Sequence, residues 1–415
     1  MTSGLILVAV VAAGYIAARI AVGALARRYL IVSGAEYLVL GVLLGPRVAG
    51  LISASVLDSF GPLITLAIGW MGAVIGSEFH LKRMLRLRGE LYQVAFLEAI
   101  LVVGIVGGAL FLLFTRVLGV LPADAVAPAT ILGAIAVTTS SSGIALAARR
   151  LARDRTARTP LLHQLQVAGG MDAAVGILTF GTVLCLVHLP PPGDIRPPTP
   201  TEWAVIGGAI GVLGGIVYHL FLGGERDPDR LFISLAGAIT LASGTAAYAR
   251  LSPLVPTMLI GAILANTARN RHEIVQVLHR VQRPLYLVLL IFAGAAWRVP
   301  GGAWGLPLVA FVLLRLFAKP AAARVATRLS GMSRVIGGNW GIALVGQGSL
   351  AIAIALNYRI FDDSDLSNVV FTAALVSVLA TDLLSARVVR AVVRRHHRRR
   401  LPLAAAGAGA GPPER

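Results

Sequence analysis

The sequence predicts an all-α polytopic membrane protein, and three observations carry that prediction. Charged residues make up 13% of the 415-residue chain and hydrophobic residues 57%, where a soluble domain carries about 25% charged. Apolar runs of membrane-spanning length follow one another with only short polar stretches between them. Those runs lack the strict alternation of a strand. With a mean hydropathy of +0.81, no stretch outside them holds enough apolar residues for a soluble core of its own.

A membrane helix takes about 20 mostly apolar residues. The chain offers about 13 such stretches, at 4–25, 33–52, 59–79, 91–115, 125–148, 160–188, 202–222, 230–249, 252–268, 283–298, 303–328, 335–357 and 366–386. The N-terminus has no basic region before its apolar stretch and no clear cleavage site, so it reads as a retained first helix rather than a signal peptide. The single cysteine, Cys185, falls inside an apolar run, which suits a small buried side chain.

The net charge of +18 comes from 37 Lys and Arg against 19 Asp and Glu. In a soluble protein such an excess points to nucleic acid, a partner not expected here, because the distribution follows the positive-inside rule. Of the 37, 28 fall on one side of the alternating spans, in clusters such as 82–88, 149–158 and the tail from Arg387. Only Arg47, Arg116, Arg196, Arg250, Arg298 and Arg359 fall on the other. An outside N-terminus, a cytoplasmic C-terminus and a plasma (bacterial inner) membrane location follow as expectations. The basic tail 391–415, with its Ala/Gly/Pro end, reads as a disordered topology anchor; its run at 394–400 also suits anionic lipid.

The Pro-rich stretch 190–200 divides the membrane domain, residues 1–390, into two halves. A first repeat at 4–188 and a second at 230–390 flank a linking helix at 202–222. The two six-helix repeats enter the membrane from opposite sides, the inverted arrangement of many secondary transporters. The fifth helix of the front half contains Thr138, Thr139, Ser140, Ser141, Ser142 and Gly143. Its counterpart in the back half contains Gly346, Gln347, Gly348 and Ser349. Interruption of crossing helices at matching positions is the sequence mark of a transporter's binding site. Either stretch alone also fits ordinary small-residue packing, as in the Gly207, Gly211, Gly215 spacing of the seventh span.

Ionisable side chains at membrane depth are functional candidates by default. Asp172 lies twelve residues into its span, about 18 Å deep at 1.5 Å per residue, beyond the reach of snorkelling. Arg315 sits at similar depth, with Lys319 one turn further on the same face; both are available as counter-charges for Asp172. Glu98 is positioned to pair with Lys319, and for these three a structural ion pair is an equal alternative. Glu36, Glu78 and Asp382 fall at helix ends, where an access funnel or simple snorkelling accounts for them, as snorkelling does for Arg19. His163, His188 and His219 show no metal-ligand spacing.

Taken in order, these motifs are recognisable. Residues 37–46 (YLVLGVLLGP), the Gly76, Glu78, Lys82 segment, 139–146 (TSSSGIAL) followed by Asp172, and Gln347–Gly348 together resemble the monovalent cation:proton antiporter superfamily. The nearest pattern is its glutathione-gated potassium-efflux (Kef-like) branch. The resemblance implies a thirteen-helix homodimer whose spans four to six and eleven to thirteen move against a scaffold of the others. It implies a sodium/hydrogen-exchanger-like activity with a monovalent cation and protons as its partners in the lipid bilayer, no cofactor, and no metal beyond the transported cation. Three departures stand out. Met171 replaces the family's polar residue before the Asp, Ser349 and Leu350 stand where a back-half Glu is usual, and no counterpart of the branch's nucleotide-binding regulatory domain is expected.

The expected machine is one carboxylate that holds either a proton or a cation. Asp172 would bind Na+ or K+ with hydroxyls and carbonyls of Thr139, Ser140, Ser141 and Ser142, the oxygen ligands a hard cation takes. Arg315 and Lys319 would serve as counter-charges, and Glu98 and Gln347 as supporting groups. With Met171 where a second carboxylate would stand, exchange is expected to be electroneutral. Two other transporter-fold readings compete: a sodium-coupled organic anion symporter using Arg315, and a transport-inactive membrane sensor. An intramembrane protease with Ser142 as nucleophile and His163 or His188 as base suits inverted halves poorly, and no enzyme is expected.

Overall fold

The computed structural model describes residues 35–81, 89–153, 160–188, 198–222, 224–225, 227–301, 304–332, 336 and 338–408. Among them every long regular element is a helix and no strand occurs. The first expected span and Arg19 lie outside the described residues, as do the side chains of Glu36 and Asp382.

Helix α1 (Ala35–Leu44) stops after ten residues, because Pro46 disfavours helical backbone at the residue before it. The short α2 (Ala54–Ser59) is capped by the Ser53 hydroxyl, which accepts from the Val56 N–H. Next come α3 (Gly61–Glu78) and α4 (Gly89–Leu112), the latter running into a π-turn at Leu113–Val117. α5 (Pro122–Val137), α6 (Ser141–Arg153) and α7 (Pro160–Leu186) come after them. α8 (Pro200–Leu222) and α9 (Pro228–Tyr248) follow. Proline opens α5, α7, α8 and α9, where its missing N–H leaves no helix bond unmade. Asp227 caps α9 by accepting from the N–H groups of Asp229 and Arg230. These two bonds, Arg230's first, hold its exposed carboxyl below the usual range.

The chain continues through α10 (Leu254–Thr267), α11 (Arg271–Ala296) and α12 (Gly305–Leu329). A 3₁₀ turn (Trp340–Leu344) precedes α13 (Ser349–Phe361), and α14 (Asp365–Ala408) ends the described chain.

Eight helices among the described residues are long and apolar enough to cross a membrane, taking α5 and α6 as one; the bent pair Asp365–Thr381 and Ser385–His396 makes nine. The difference from the expected thirteen has local causes. The second and ninth stretches form helices of only 10 and 14 residues, and the twelfth is split by the 3₁₀ turn. The tenth begins at Arg271, twelve residues before the expected 283. Its early half carries Arg271, His272, Glu273, His279 and Arg280, which lower its hydropathy, yet Ile274, Val277 and Leu278 recur at helical spacing and are buried.

Packing sorts the helices into two groups. α1, α3 and α8–α11 pack mainly among themselves, as do α4–α7, α12, the 3₁₀ turn, α13 and α14. Within the first group, α3 and α10 cross at near-backbone contact. A methyl group on Gly76 would collide with the Met258 carbonyl, and one on Gly261 with the Ala73 carbonyl. Such small-residue crossings let dispersion replace the hydrophobic drive that lipid does not supply. Trp70, buried beside this crossing, donates from its indole N–H to the Leu278 carbonyl of α11 at 3.0 Å.

Substituting Gly261→Val should therefore destabilise the fold by about 1–3 kcal/mol, seen as a lower midpoint in thermal unfolding of detergent-purified protein. Gly108→Ala, on a face of α4 where nothing lies within 4 Å, should leave that midpoint unchanged.

Candidate functional site

The site begins with two places where helix gives out. α5 ends at Val137, Thr138 leaves the helical region at φ −58° and ψ 137°, and α6 starts at Ser141. On the other side, residues 345–348 separate the 3₁₀ turn from α13. These two extended segments meet: the Ser140 N–H donates to the Gly346 carbonyl at 2.8 Å. Ser385 of α14 closes the third side, seated where a side chain on Gly346 would have to be.

Unwound backbone at membrane depth must find partners inside the protein, and here it does. Ser140 acts as the N-cap of α6, its hydroxyl accepting from the Gly143 N–H at 3.2 Å. The Gln347 N–H donates to the Thr381 hydroxyl, and its side-chain amide to the Ile135 carbonyl at 2.8 Å. Arg315 answers the carbonyls. Its Nε donates to Ala136 O at 3.0 Å and its terminal nitrogens to Thr138 O at 2.9 Å, to Val345 O and to Leu344 O. One fully buried guanidinium thus caps the carbonyl-bearing ends of both broken elements, where partial negative charge gathers. Arg315, expected beside Asp172, is committed instead to backbone; its planar five-donor fork suits four diverging carbonyls.

Asp172 is met by Lys319. The ammonium lies 2.6 Å from Asp172 Oδ2 and 3.3 Å from Glu98 Oε1, and donates to the Thr139 hydroxyl at 3.2 Å. The Thr139 hydroxyl in turn donates to the same Asp172 Oδ2 at 2.5 Å. Both carboxylates and the ammonium are wholly buried. Asp172 Oδ1 and both oxygens of Glu98 accept no hydrogen bond among the described residues. Three helices, α4, α7 and α12, and one break supply this cluster, all within the second packing group.

A cavity of about 460 Å³ opens along the seam between the two groups and is lined as far as Met171, the residue before Asp172. Ser77, Glu78 and His80 line it from the end of α3, Arg271 and His279 from α11, and Ser141, Gly170 and Met171 from α6 and α7. Its wall ends one residue short of Asp172. The Glu78 carboxylate lies beside Gly170, and Met171, half-buried, forms part of the wall.

The structure brings Asp172, Thr139, Lys319 and Glu98 into one cluster and sets Ser140 and Gln347 into the breaks themselves. Ser141 faces the cavity, and Ser142 is exposed beside it, its hydroxyl 3.1 Å from that of Ser140. His163 lines the cavity, while His188 stacks on Trp203 with ring centroids 4.0 Å apart. Thr381 and Ser385, which seal the breaks from α14, escaped sequence reasoning. Their signal was a polar pair four residues apart in an apolar run, on the two sides of the bend in α14.

Two opposed breaks around a buried carboxylate–ammonium cluster, in an all-helical bundle with candidate membrane spans, define a secondary-transporter architecture. The family described as sodium/hydrogen exchanger, transmembrane, matches residues 37–390, and the chain belongs to it. The fold is similar to that of the sodium proton antiporter MjNhaP1 from Methanocaldococcus jannaschii, whose structure was determined at pH 8. The TM-score is 0.69 at 15% identity, over 94% of this chain and 98% of that one. No curated protein matches the chain. These likenesses bear out the antiporter superfamily; the potassium-efflux branch suggested by the motifs finds no support in them.

Replacing Arg315 tests the capping argument. Arg315→Gln and Arg315→Lys should both destabilise the protein, by about 3 kcal/mol or more, since each strands buried carbonyls. A lysine retains the charge and lacks the fork. Thermal unfolding in detergent is the measurement, with both variants expected well below wild type.

Proposed function

We propose that this protein exchanges a monovalent cation, Na+ or K+, for a proton, one for one, with Asp172 as the group that holds either. Family membership supports cation/proton antiport. The observation that carries the assignment to Asp172 is its geometry. It is a fully buried carboxylate beside a break, with one oxygen tied to Lys319 and Thr139 and the other accepting no hydrogen bond from a donor among the described residues, and it follows Met171 at the end of a cavity. A dehydrated cation there would find the free Asp172 oxygen and the hydroxyls and carbonyls of 139–142, a set of hard oxygen ligands. A proton on Asp172 neutralises the same charge. Movement of the empty, negatively charged site through a low-dielectric barrier is disfavoured, which couples the two fluxes.

The same reading keeps thirteen spans in two inverted halves, for which the matching breaks speak, within a homodimer whose C-terminus is cytoplasmic. The cavity then opens to the cytoplasm, because Arg271 and His80 at its rim belong to the basic side of the chain. The organic anion reading loses ground, since Arg315, its anion-binding group, is occupied by backbone carbonyls.

In proteoliposomes containing a pH-sensitive dye, adding Na+ or K+ should dequench the dye for wild type. Asp172→Asn should reduce the signal to that of protein-free liposomes, with no current under voltage clamp in either case. A current proportional to wild-type flux would refute one-for-one exchange. A folded wild type inert to every monovalent cation would leave the sensor reading.

A further inference from the structure

Lys319 poses a difficulty for any cation that binds Asp172. The ammonium occupies Asp172 Oδ2 at 2.6 Å, so a second positive charge on the same carboxylate must displace it or share with it. A displaced ammonium in a dry interior, with no counter-charge, would cost several kcal/mol. The structure supplies a second carboxylate at the right place. Glu98 Oε1 lies 3.3 Å from the same nitrogen, on α4, across from Asp172 on α7. Glu98 is wholly buried and already ion-paired with the ammonium through Oε1, beside Asp172, while the two closer contacts of the ammonium go to Asp172 and Thr139. The longer of the two ion pairs is the one with room to shorten.

We propose that Glu98 receives the Lys319 ammonium whenever Asp172 takes up the cation, so that Lys319 remains charged and paired through the whole cycle. The shift needed is small. Closing 3.3 Å to an ordinary charged contact of about 2.8 Å takes roughly half an ångström, within the freedom of a lysine stem. The charge balance then closes in both loaded states. With cation bound, Asp172 pairs with the cation and Glu98 with Lys319. With a proton bound, Asp172 is neutral and Glu98 again balances Lys319. Paired in this way, the ammonium keeps the site neutral in both loaded states, and this is what holds exchange at one for one. Glu98 is a positioning residue in this scheme: it touches the ammonium and acts on the cation only through it. The inference rests on the exchange reading above.

The test is the cation dependence of proton flux in proteoliposomes, with Na+ and with K+, for wild type, Glu98→Gln, Glu98→Asp and the double variant Glu98→Gln/Lys319→Gln. Glu98→Gln should raise the cation KM about tenfold to a hundredfold, the equivalent of one lost charged hydrogen bond, with a smaller change in maximal rate. Glu98→Asp should stay near wild type. The double variant, with no ammonium to strand, should fall back toward the wild-type KM. A folded Glu98→Gln protein with unchanged KM overturns the proposal, and so does a double variant no better than Glu98→Gln. Should Glu98→Gln fail to fold, the double variant decides alone: a KM raised tenfold or more over wild type overturns it. A wild type that exchanges normally while Glu98→Gln is unaffected removes this inference only, whereas a wild type without cation-dependent flux removes the exchange reading beneath it.

Discussion

Backbone that leaves a helix inside a membrane carries carbonyls and amides that lipid cannot satisfy. In this protein two such breaks face each other, and a single guanidinium, that of Arg315, holds the carbonyl ends of both. Everything else at the site depends on that bond set. It keeps Thr138 extended, which turns the next residue, Thr139, toward α7 and places its hydroxyl on Asp172. It also joins α12 to both breaks at once, so the Lys319 one turn along the same helix arrives at the carboxylates with its position already determined. Removing the hydroxyl of Thr139 would take away one contact, whereas removing Arg315 would release the frame on which the contacts are hung.

The two buried cationic side chains of α12, Arg315 and Lys319, therefore divide the work by chemistry. A guanidinium is a rigid fork that stays charged, suited to several carbonyls in fixed directions. An ammonium is a compact charge on a flexible stem, suited to partners that change. Arg315 donates to neutral carbonyl dipoles, and Lys319 faces two carboxylates, Asp172 and Glu98. Exchanging their positions would give the moving part to the rigid group and the static part to the flexible one.

Much of this was legible in the sequence, and the part that was not has a physical reason. The breaks at Thr138–Ser140 and Gly346–Gly348 announced themselves as polar, glycine-bearing interruptions of apolar runs. Asp172, Glu98, Arg315 and Lys319 stood out because charge at membrane depth is rare. Which cation serves which anion did not stand out. Arg315 and Lys319 lie one turn apart on the same face, and what claims Arg315 is the backbone carbonyls of Ala136, Thr138, Leu344 and Val345, whose directions no side chain announces. The polar start of α11 was lost to hydropathy for the opposite reason: its buried stripe is narrow, and Arg271, His272 and Glu273 outweigh it in any average.

The placement of the cluster also constrains how a site like this can alternate. Glu98, Thr139, Asp172, Arg315 and Lys319 all belong to one packing group, while Glu78, His80 and Arg271, which line the opposing wall of the cavity, belong to the other. Moving one group against the other would break none of the cluster's bonds; it would change only which side the free face of Asp172 meets. The seam is lightly packed by comparison with the glycine-tight crossing of α3 and α10 inside the scaffold group. The tight crossing thus stiffens the group that faces the cluster, and the seam between the groups is the more compliant place. Motion costs little under that division, provided that the charge carried is neutral.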